Sequence, residues 1–163
     1  MTVLPRHPNE SLVHMTELVL PQHTNTVGSA FGGAILSWID IAGGICAGRH
    51  AGRTAVTVAF DDVHFITPVR LGDVLNITAR ITFVGRTSME VWVDVARERY
   101  DGNSEHANTA FVTFVAVNAA GEPQAVPPLL LDNDDDRRRH EEGRRRRDER
   151  LDRARRSATH PAA

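Results

Sequence analysis

Apolar and polar residues divide this chain into three regimes. From Asn25 to His50 (NTVGSAFGGAILSWIDIAGGICAGRH) a glycine-bearing loop gives way to an almost wholly apolar run, with Asp40 the only charge well inside it. A helix of roughly 18 such residues matches a bilayer in length. The acid near its middle, the interrupting glycines and the strand-like segments that follow argue instead for a central helix buried by a sheet. Ser29 is the expected N-cap, and Gly48 and Gly52 mark the region where the helix ends, with Arg49 and His50 against its negative end.

The second regime alternates. Leu12 to Leu20 reads as a strand stopped by Pro21, and four further runs follow the helix. Thr54 to Phe65 carries Asp61-Asp62 as a bulge or bend. In Val74 to Val84, Leu75, Ile77, Ala79, Ile81 and Phe83 alternate with Asn76, Thr78, Arg80 and Thr82. Ser88 to Tyr100 points Met89, Val91, Val93 and Val95 inward and Glu90 and Asp94 outward. His106 to Asn118 is apolar on both faces, as a central strand would be. Gly85-Arg86 and Asp101-Gly102-Asn103 supply short turns, so the sheet is mainly antiparallel and the fold class α+β. One helix covers a sheet this large only if the sheet curls around it. An open flank then remains, which predicts pairing of two chains edge to edge.

The third regime, Asp132 to Ser157, holds eleven arginines and nine acids, with only Leu151 and Ala154 for apolar character. Favourable pairs at Glu141–Arg145, Glu142–Arg146 and Glu149–Arg153 predict a solvated, charge-laced helix, partly frayed. The expected organisation is a mobile leader over residues 1–11, a helix-and-sheet domain over 12–128 and a charged helical or partly disordered extension over 129–163.

The geometry of the apolar helix suggests chemistry. At about 100° per residue, Gly33, Ser37, Asp40, Gly44 and Ala47 share one arc, while Ile35, Trp38, Ile39, Ala42, Ile45 and Cys46 take the other faces. The stripe is either an ordinary solvent-facing one, or a place where a backbone or thin ligand comes close and Asp40 is partly desolvated, which suits acid–base work.

Composition removes other classes. Net charge over the 163 residues is −2, which gives no preference for nucleic acid or membrane. The mixed signs of the charged tail favour a solvated extension over a basic arm. Every cationic side chain is arginine; there is no lysine. Cys46 is the single cysteine, so no intramolecular disulfide is available; it reads as a small core residue and fits a reducing cytoplasm. The N-terminal residues lack the basic segment and apolar run of a signal peptide. There is no P-loop, no GxSxG elbow and no HExxH, and the eight histidines are scattered, so no metal site is expected. His23, His50 and His64 could line a site, although histidines so placed are more often surface or cap residues.

What survives is the helix N-terminus after Val27-Gly28-Ser29-Ala30-Phe31-Gly32-Gly33. Its first N–H groups lack partners and carry partial positive charge. Glycines let a carbonyl oxygen approach them, and each good oxyanion donor is worth roughly 3 kcal/mol. Asp40 lies about 10 Å further along the axis, too far to serve the same carbonyl. Two helices packed antiparallel across a dimer would bring the Asp40 of one chain to the glycine turn of the other.

The segment Thr24-Asn25-Thr26-Val27-Gly28-Ser29-Ala30-Phe31-Gly32-Gly33, followed by Trp38-Ile39-Asp40-Ile41-Ala42-Gly43-Gly44, resembles the hotdog-fold acyl-CoA thioesterases, more narrowly the acyl-CoA hydrolase family. Val63-His64-Phe65, Pro68-Val69, Gly72-Asp73-Val74 and Gly85-Arg86-Thr87-Ser88-Met89-Glu90-Val91 extend the match over roughly Leu18 to Pro127. The resemblance implies a curved, mainly antiparallel sheet of five to six strands wrapped on one long helix. It implies hydrolysis of acyl-CoA to CoA and a free acid, with no cofactor. Its catalytic pair carries over to Asn25, orienting water or the thioester carbonyl, and Asp40, as general base or as a nucleophile forming an anhydride. Gly32 and Gly33 would hold the oxyanion, and Phe31 stands where many relatives have His. A single repeat implies a homodimer at minimum, commonly a trimer of dimers. For the CoA phosphates the candidates are Arg49, Arg53, Arg70 and Arg86. A non-catalytic acyl-CoA sensor on the same fold would not need Asn25 with Asp40; a hydratase would need a catalytic His whose motifs are absent.

Overall fold

Alternation over residues 74–81 produces a regular stretch of strand, which ends at a register shift between Ile81 and Phe83. In the computed structural model, which describes residues 4–159, strand β3 (Val74–Val84) buries Leu75, Ile77, Ala79 and Ile81 almost completely. It runs beside β1 (Val13–Leu18) and β4 (Ser88–Glu98). Strand β5 (Ser104–Ala116) follows β4, and β2 (Ala55–Phe65) closes the order β1-β3-β4-β5-β2, every pair antiparallel. The sheet has five strands, and β5 is interior. The expected irregularity in β2 is present: register shifts fall between Thr57 and Ala59 and between Asp61 and His64, with Asp62 at φ 49°.

Helix α1 (Gly32–Ala51) lies on one face of this sheet. Ala34, Ile35, Trp38, Ile39, Ala42, Gly43, Cys46, Ala47, His50 and Ala51 are buried, in the i, i+1, i+4 steps of a single core-facing stripe. Two expectations change. The helix starts at Gly32 with Phe31 as N-cap and no side-chain cap bond, so Ser29 is not the cap; Ser29 is instead held in a turn (below). Ala47 is buried, and the open face is not only small and polar: Ile41 and Ile45 are 48% and 42% exposed beside Asp40 and Gly44. No helix among the described residues is long and apolar enough to cross a membrane.

Contact at Gly43 sets how deeply α1 sits. A Cβ there would lie 2.9 Å from the ring of Phe114, which is itself buried. The helix ends on Gly52 in a left-handed cap at φ 66°, and Arg6 donates to the carbonyls of Arg49 and His50 at 2.8 Å each. Arg6 is paired with Leu129, and residues Pro8–Ser11 form a 3-10 turn with a His7–Glu10 capping box. Residues 1–3 and 160–163, the ends of the expected mobile leader and charged extension, lie outside the described residues.

The other face of the sheet receives helix α2 (Asp134–Thr159). Glu90, expected to point to solvent, is 3% exposed, because Arg146 donates to both its oxygens at 2.8 and 3.0 Å and Thr82 adds a bond at 2.6 Å. The Arg146 guanidinium also lies 3.8 Å from the Phe111 ring centroid, and Arg150 pairs with Asp61 at 2.8 Å. Near its start, Asp136 is buried against Arg80. The inner face of α2 is therefore docked through charged groups. Its exposed face carries intrahelical pairs such as Arg137–Asp134 and Arg144–Glu141, and Arg146 serves the sheet through Glu90.

Two outcomes follow from this packing. Gly143 sits where a Cβ would come within 2.6 Å of Phe83 and 2.8 Å of Glu90 Oε1. Gly143→Ala gains about 1 kcal/mol of helix propensity but must lift α2 and strain the Glu90–Arg146 pair. A net loss of about 1–3 kcal/mol in a denaturant melt is expected, and a gain would contradict the docking. His50 is buried, its Nε2 bonded to the Pro127 carbonyl at 2.9 Å, and burial pushes its pKa below the usual 6.5. The unfolded chain then takes up this proton at higher pH than the folded one. Its stabilising contribution is complete above pH 6.5 and lost as pH falls through the folded value. His140, packed on Phe83, shifts the same way by burial. Thermal stability should decline from pH 7 to pH 5, less steeply in His50→Gln.

Candidate active site

The glycine turn is built by backbone hydrogen bonds around Asn25. Its N–H donates to the Ser29 carbonyl at 2.8 Å, its carbonyl accepts from Gly28 at 3.1 Å, and Gly28 takes φ 77°. The Asn25 Oδ1 accepts from the N–H groups of Val27 (3.0 Å) and Ser29 (3.2 Å). Two backbone donors fix that atom as oxygen, so the Nδ2 amide points away from the turn as an available donor. Ala30 is tied to the Val69 carbonyl at 2.7 Å and Phe31 to the His23 carbonyl at 3.0 Å. The His23 ring stands edge-on to Trp38 with centroids 4.9 Å apart, which pins the loop to α1 and gives His23 a structural task.

The first N–H groups of α1, at Gly32 and Gly33, have no intrahelical acceptor. A Cβ on Gly33 would meet the Phe31 ring at 3.0 Å, so glycine lets that ring fold over the first helical turn. Phe31 remains 43% exposed. Beside this end of the helix is a groove of about 220 Å³ lined by Ser29, Ala30, Ile35 and residues 65–69.

Asp40 sits two turns on, half-buried on the open face of α1. Its Oδ1 accepts a hydrogen bond of 2.6 Å from Thr57 Oγ1 on β2. Sequence reasoning passed over Thr57. The available signal was its place in the helix-facing set of a strand next to the helix, a hydroxyl among Val and Ala. Asn25, Phe31, Gly32 and Gly33 are brought together at one end of the helix; Asp40 is separated from them by the length of helix between.

The four arginine candidates do not form one cluster. Arg70 flanks the glycine turn, its backbone bridged to Ser29 and its N–H bonded to Asp73. Arg49, bonded to the Leu12 carbonyl, and Arg53, bonded to Gln124, lie at the far end of α1. Arg86 is exposed at the β3–β4 turn, where its carbonyl accepts from Val126.

His7, Asp132 and Asp136 bring three ligand-type atoms within 4.8 Å of one another. Their hydrogen bonding is that of an ion-pair clasp. His7 Nδ1 accepts from the Asn9 N–H, so Nε2 carries the proton and donates to Asp132 at 3.2 Å, while Arg80 and Asn133 occupy Asp136. The His64 side chain is exposed on β2. Cys46 is fully buried, and burial pushes its thiol pKa up to about 12. It should resist an aromatic disulfide reagent in the native protein and react only on unfolding, leaving released substrate thiol as the sole fast signal in an assay.

Comparison with known proteins bears on this site. The family model described as Thioesterase superfamily matches residues 27–100. YkhA of Bacillus subtilis, an uncharacterized acyl-CoA thioester hydrolase, is 41% identical over 123 residues, 75% of this chain and 72% of its own. An acyl-CoA hydrolase from Staphylococcus aureus, solved with butyryl coenzyme A, coenzyme A and coenzyme A disulfide, superposes with a TM-score of 0.87 at 30% identity over 94% of both chains. Structures of that enzyme with an Asn, an Asp or a Thr replaced by Ala are also similar to this chain. The hexameric thioesterase y2039 of Yersinia pestis matches 75% of this chain and 99% of its own at 36% identity and TM-score 0.67. With this sheet order, this helix and these relatives, the chain belongs to the acyl-CoA thioester hydrolases of the thioesterase superfamily.

Proposed function

We propose that this thioesterase hydrolyses acyl-CoA to CoA and a free carboxylic acid in a site shared by two protomers, Asp40 coming from one and Asn25 with the glycine turn from the other. The observation that carries this reading is the 2.6 Å bond from Thr57 to Asp40. It holds one carboxylate oxygen and orients the other on the open face of α1, toward whatever packs there. The three residue types replaced in the Staphylococcus aureus enzyme stand at the same mutual spacing as Asn25, Asp40 and Thr57, which supports the same three positions.

In this scheme Asn25 Nδ2 donates to the thioester carbonyl or to the attacking water. The N–H groups of Gly32 and Gly33 receive the oxyanion as the tetrahedral intermediate forms, and Phe31 walls the acyl group. Asp40 either takes the proton of that water or attacks the carbonyl itself to give an anhydride that water then opens; in both routes the thiolate of CoA leaves. No cofactor takes part. Arg70 is placed to meet CoA phosphate at the glycine turn, and Arg49, Arg53 and Arg86 would reach the same nucleotide only across the protomer interface.

The assembly that this requires is a homodimer at minimum, and the hexameric relative supports a trimer of dimers. Strand β2 is an edge with Val56, Val58 and Phe60 exposed, and α1 exposes Ile41 and Ile45. The lone, buried cysteine suits a cytoplasmic enzyme. Thiol release should fall 100-fold or more in Asp40→Ala and in Asn25→Ala (on the order of 3 kcal/mol), with folding intact, and by about tenfold in Thr57→Ala. Co-expressing Asp40→Ala with Asn25→Ala should restore part of the activity, because mixed dimers rebuild one intact site; persistent inactivity would place both residues in one chain's site. Unchanged turnover in Asp40→Ala would remove it from the chemistry.

A further inference from the structure

One row of side chains across the helix-facing side of the sheet runs Met15, Ile77, Val95, Asn108, Phe65. Four are apolar. Asn108 is fully buried, and neither its Oδ1 nor its Nδ2 has a hydrogen-bond partner. A carboxamide in an apolar row is costly unless something satisfies it, and Leu would fill the same volume without that cost.

Its position is informative. Asn108 shares its sheet face with Ala110, Val112 and Phe114, and Phe114 packs on Gly43 of α1. It therefore points toward the helix, near the end where the glycine turn lies. Its cross-strand partner Phe65 touches Gly32 at 3.4 Å from the position of an added Cβ, and lines the groove beside the turn. The next groove residues, Ile66 and Thr67, both donate to the carbonyl of Ala107. The Phe65 ring, 54% exposed and on an edge strand, joins the two, lining the groove and standing directly across the strands from Asn108.

We infer that Asn108 is a specificity-determining residue, whose unpaired carboxamide hydrogen-bonds the chain oxygen of an oxygen-bearing acyl group, hydroxyacyl or oxoacyl, seated in the groove beside Gly32. The inference rests on the thioesterase reading of the same site. An acyl chain that enters past Phe65 meets a wall with one donor and one acceptor, so a hydroxyl satisfies both and an oxo group the donor. A plain alkyl chain leaves both unpaired. Asn108 binds the chain and takes no part in cleavage.

The test compares kcat/KM for 3-hydroxybutyryl-CoA and butyryl-CoA by thiol release in wild type, Asn108→Leu and Asn108→Ser. Wild type should favour the hydroxylated substrate. Asn108→Leu should lower that ratio about tenfold or more, with butyryl-CoA turnover held or raised and thermal stability increased. Asn108→Ser, which keeps a hydroxyl, should retain part of the preference and covers the case in which the Leu variant does not fold. A wild-type ratio near one, or variants that change both substrates equally, would show a residue that serves the fold or an internal water, and would overturn the assignment. No thiol release from either substrate by wild type would overturn the hydrolase reading and this inference with it.

Discussion

Helix α1 lies against the sheet at the depth it does because position 43 has no side chain. The Phe114 ring occupies the space a Cβ would need, and Phe114 is paired across the strands with Thr57. Asp40, one turn before Gly43, is thereby delivered to the Thr57 hydroxyl. A larger residue at 43 would separate helix from sheet and break that bond before any reacting group was touched. The same approach leaves Ile41 and Ile45 exposed on α1, outside its contact with the sheet. Packing thus decides how the one acid of an almost uniformly apolar helix is held.

The two faces of the sheet are covered by opposite means. On one side the contact is oily, between α1 and the Val, Ile and Phe of β3, β4 and β5. On the other, Glu90, Thr82, Arg146 and Phe111 form a desolvated polar cluster under α2. Such a cluster adds little net stability over an apolar one, but losing a single member leaves a buried charge exposed to the apolar interior. It fixes where along the sheet the second helix sits, through Glu90 in the middle, Asp136 near its start and Asp61 further along.

Elements governed by period were legible in the sequence. Strand β3 was read to its residue limits, since its alternation holds from Val74 to Ile81, and the bulge in β2 was visible as two adjacent acids in a β run; the shift after Ile81 was not, and it sets Phe83, expected in line with Ile81, against Gly143 of α2. Features that depend on what another segment covers were not. Glu90 looks solvent-facing until α2 lies over it, and Ala47 belongs with the small stripe by angle but is buried together with Gly43, Cys46 and Ala51. The helix start moved from Ser29 to Gly32 because residues 25–30 close their own hydrogen-bonded turn, which consumes the Ser29 N–H and carbonyl. Of the candidate site, Asn25 and the glycines were legible through motif resemblance and Asp40 through its isolation in apolar sequence. Thr57 gave only a weak contrast, a hydroxyl among Val and Ala in a strand, where threonine is ordinary.

Strand β2 has a further consequence. Its ladder to β5 is regular only in short stretches, interrupted near Thr57 and again around Asp62. A free edge with exposed Val and Phe would ordinarily be a template on which strands stack without limit. A doubly kinked one twists away from the flat geometry that endless stacking needs. Any strand that pairs there must follow its bends, so the geometry disfavours the open-ended stacking of fibrils.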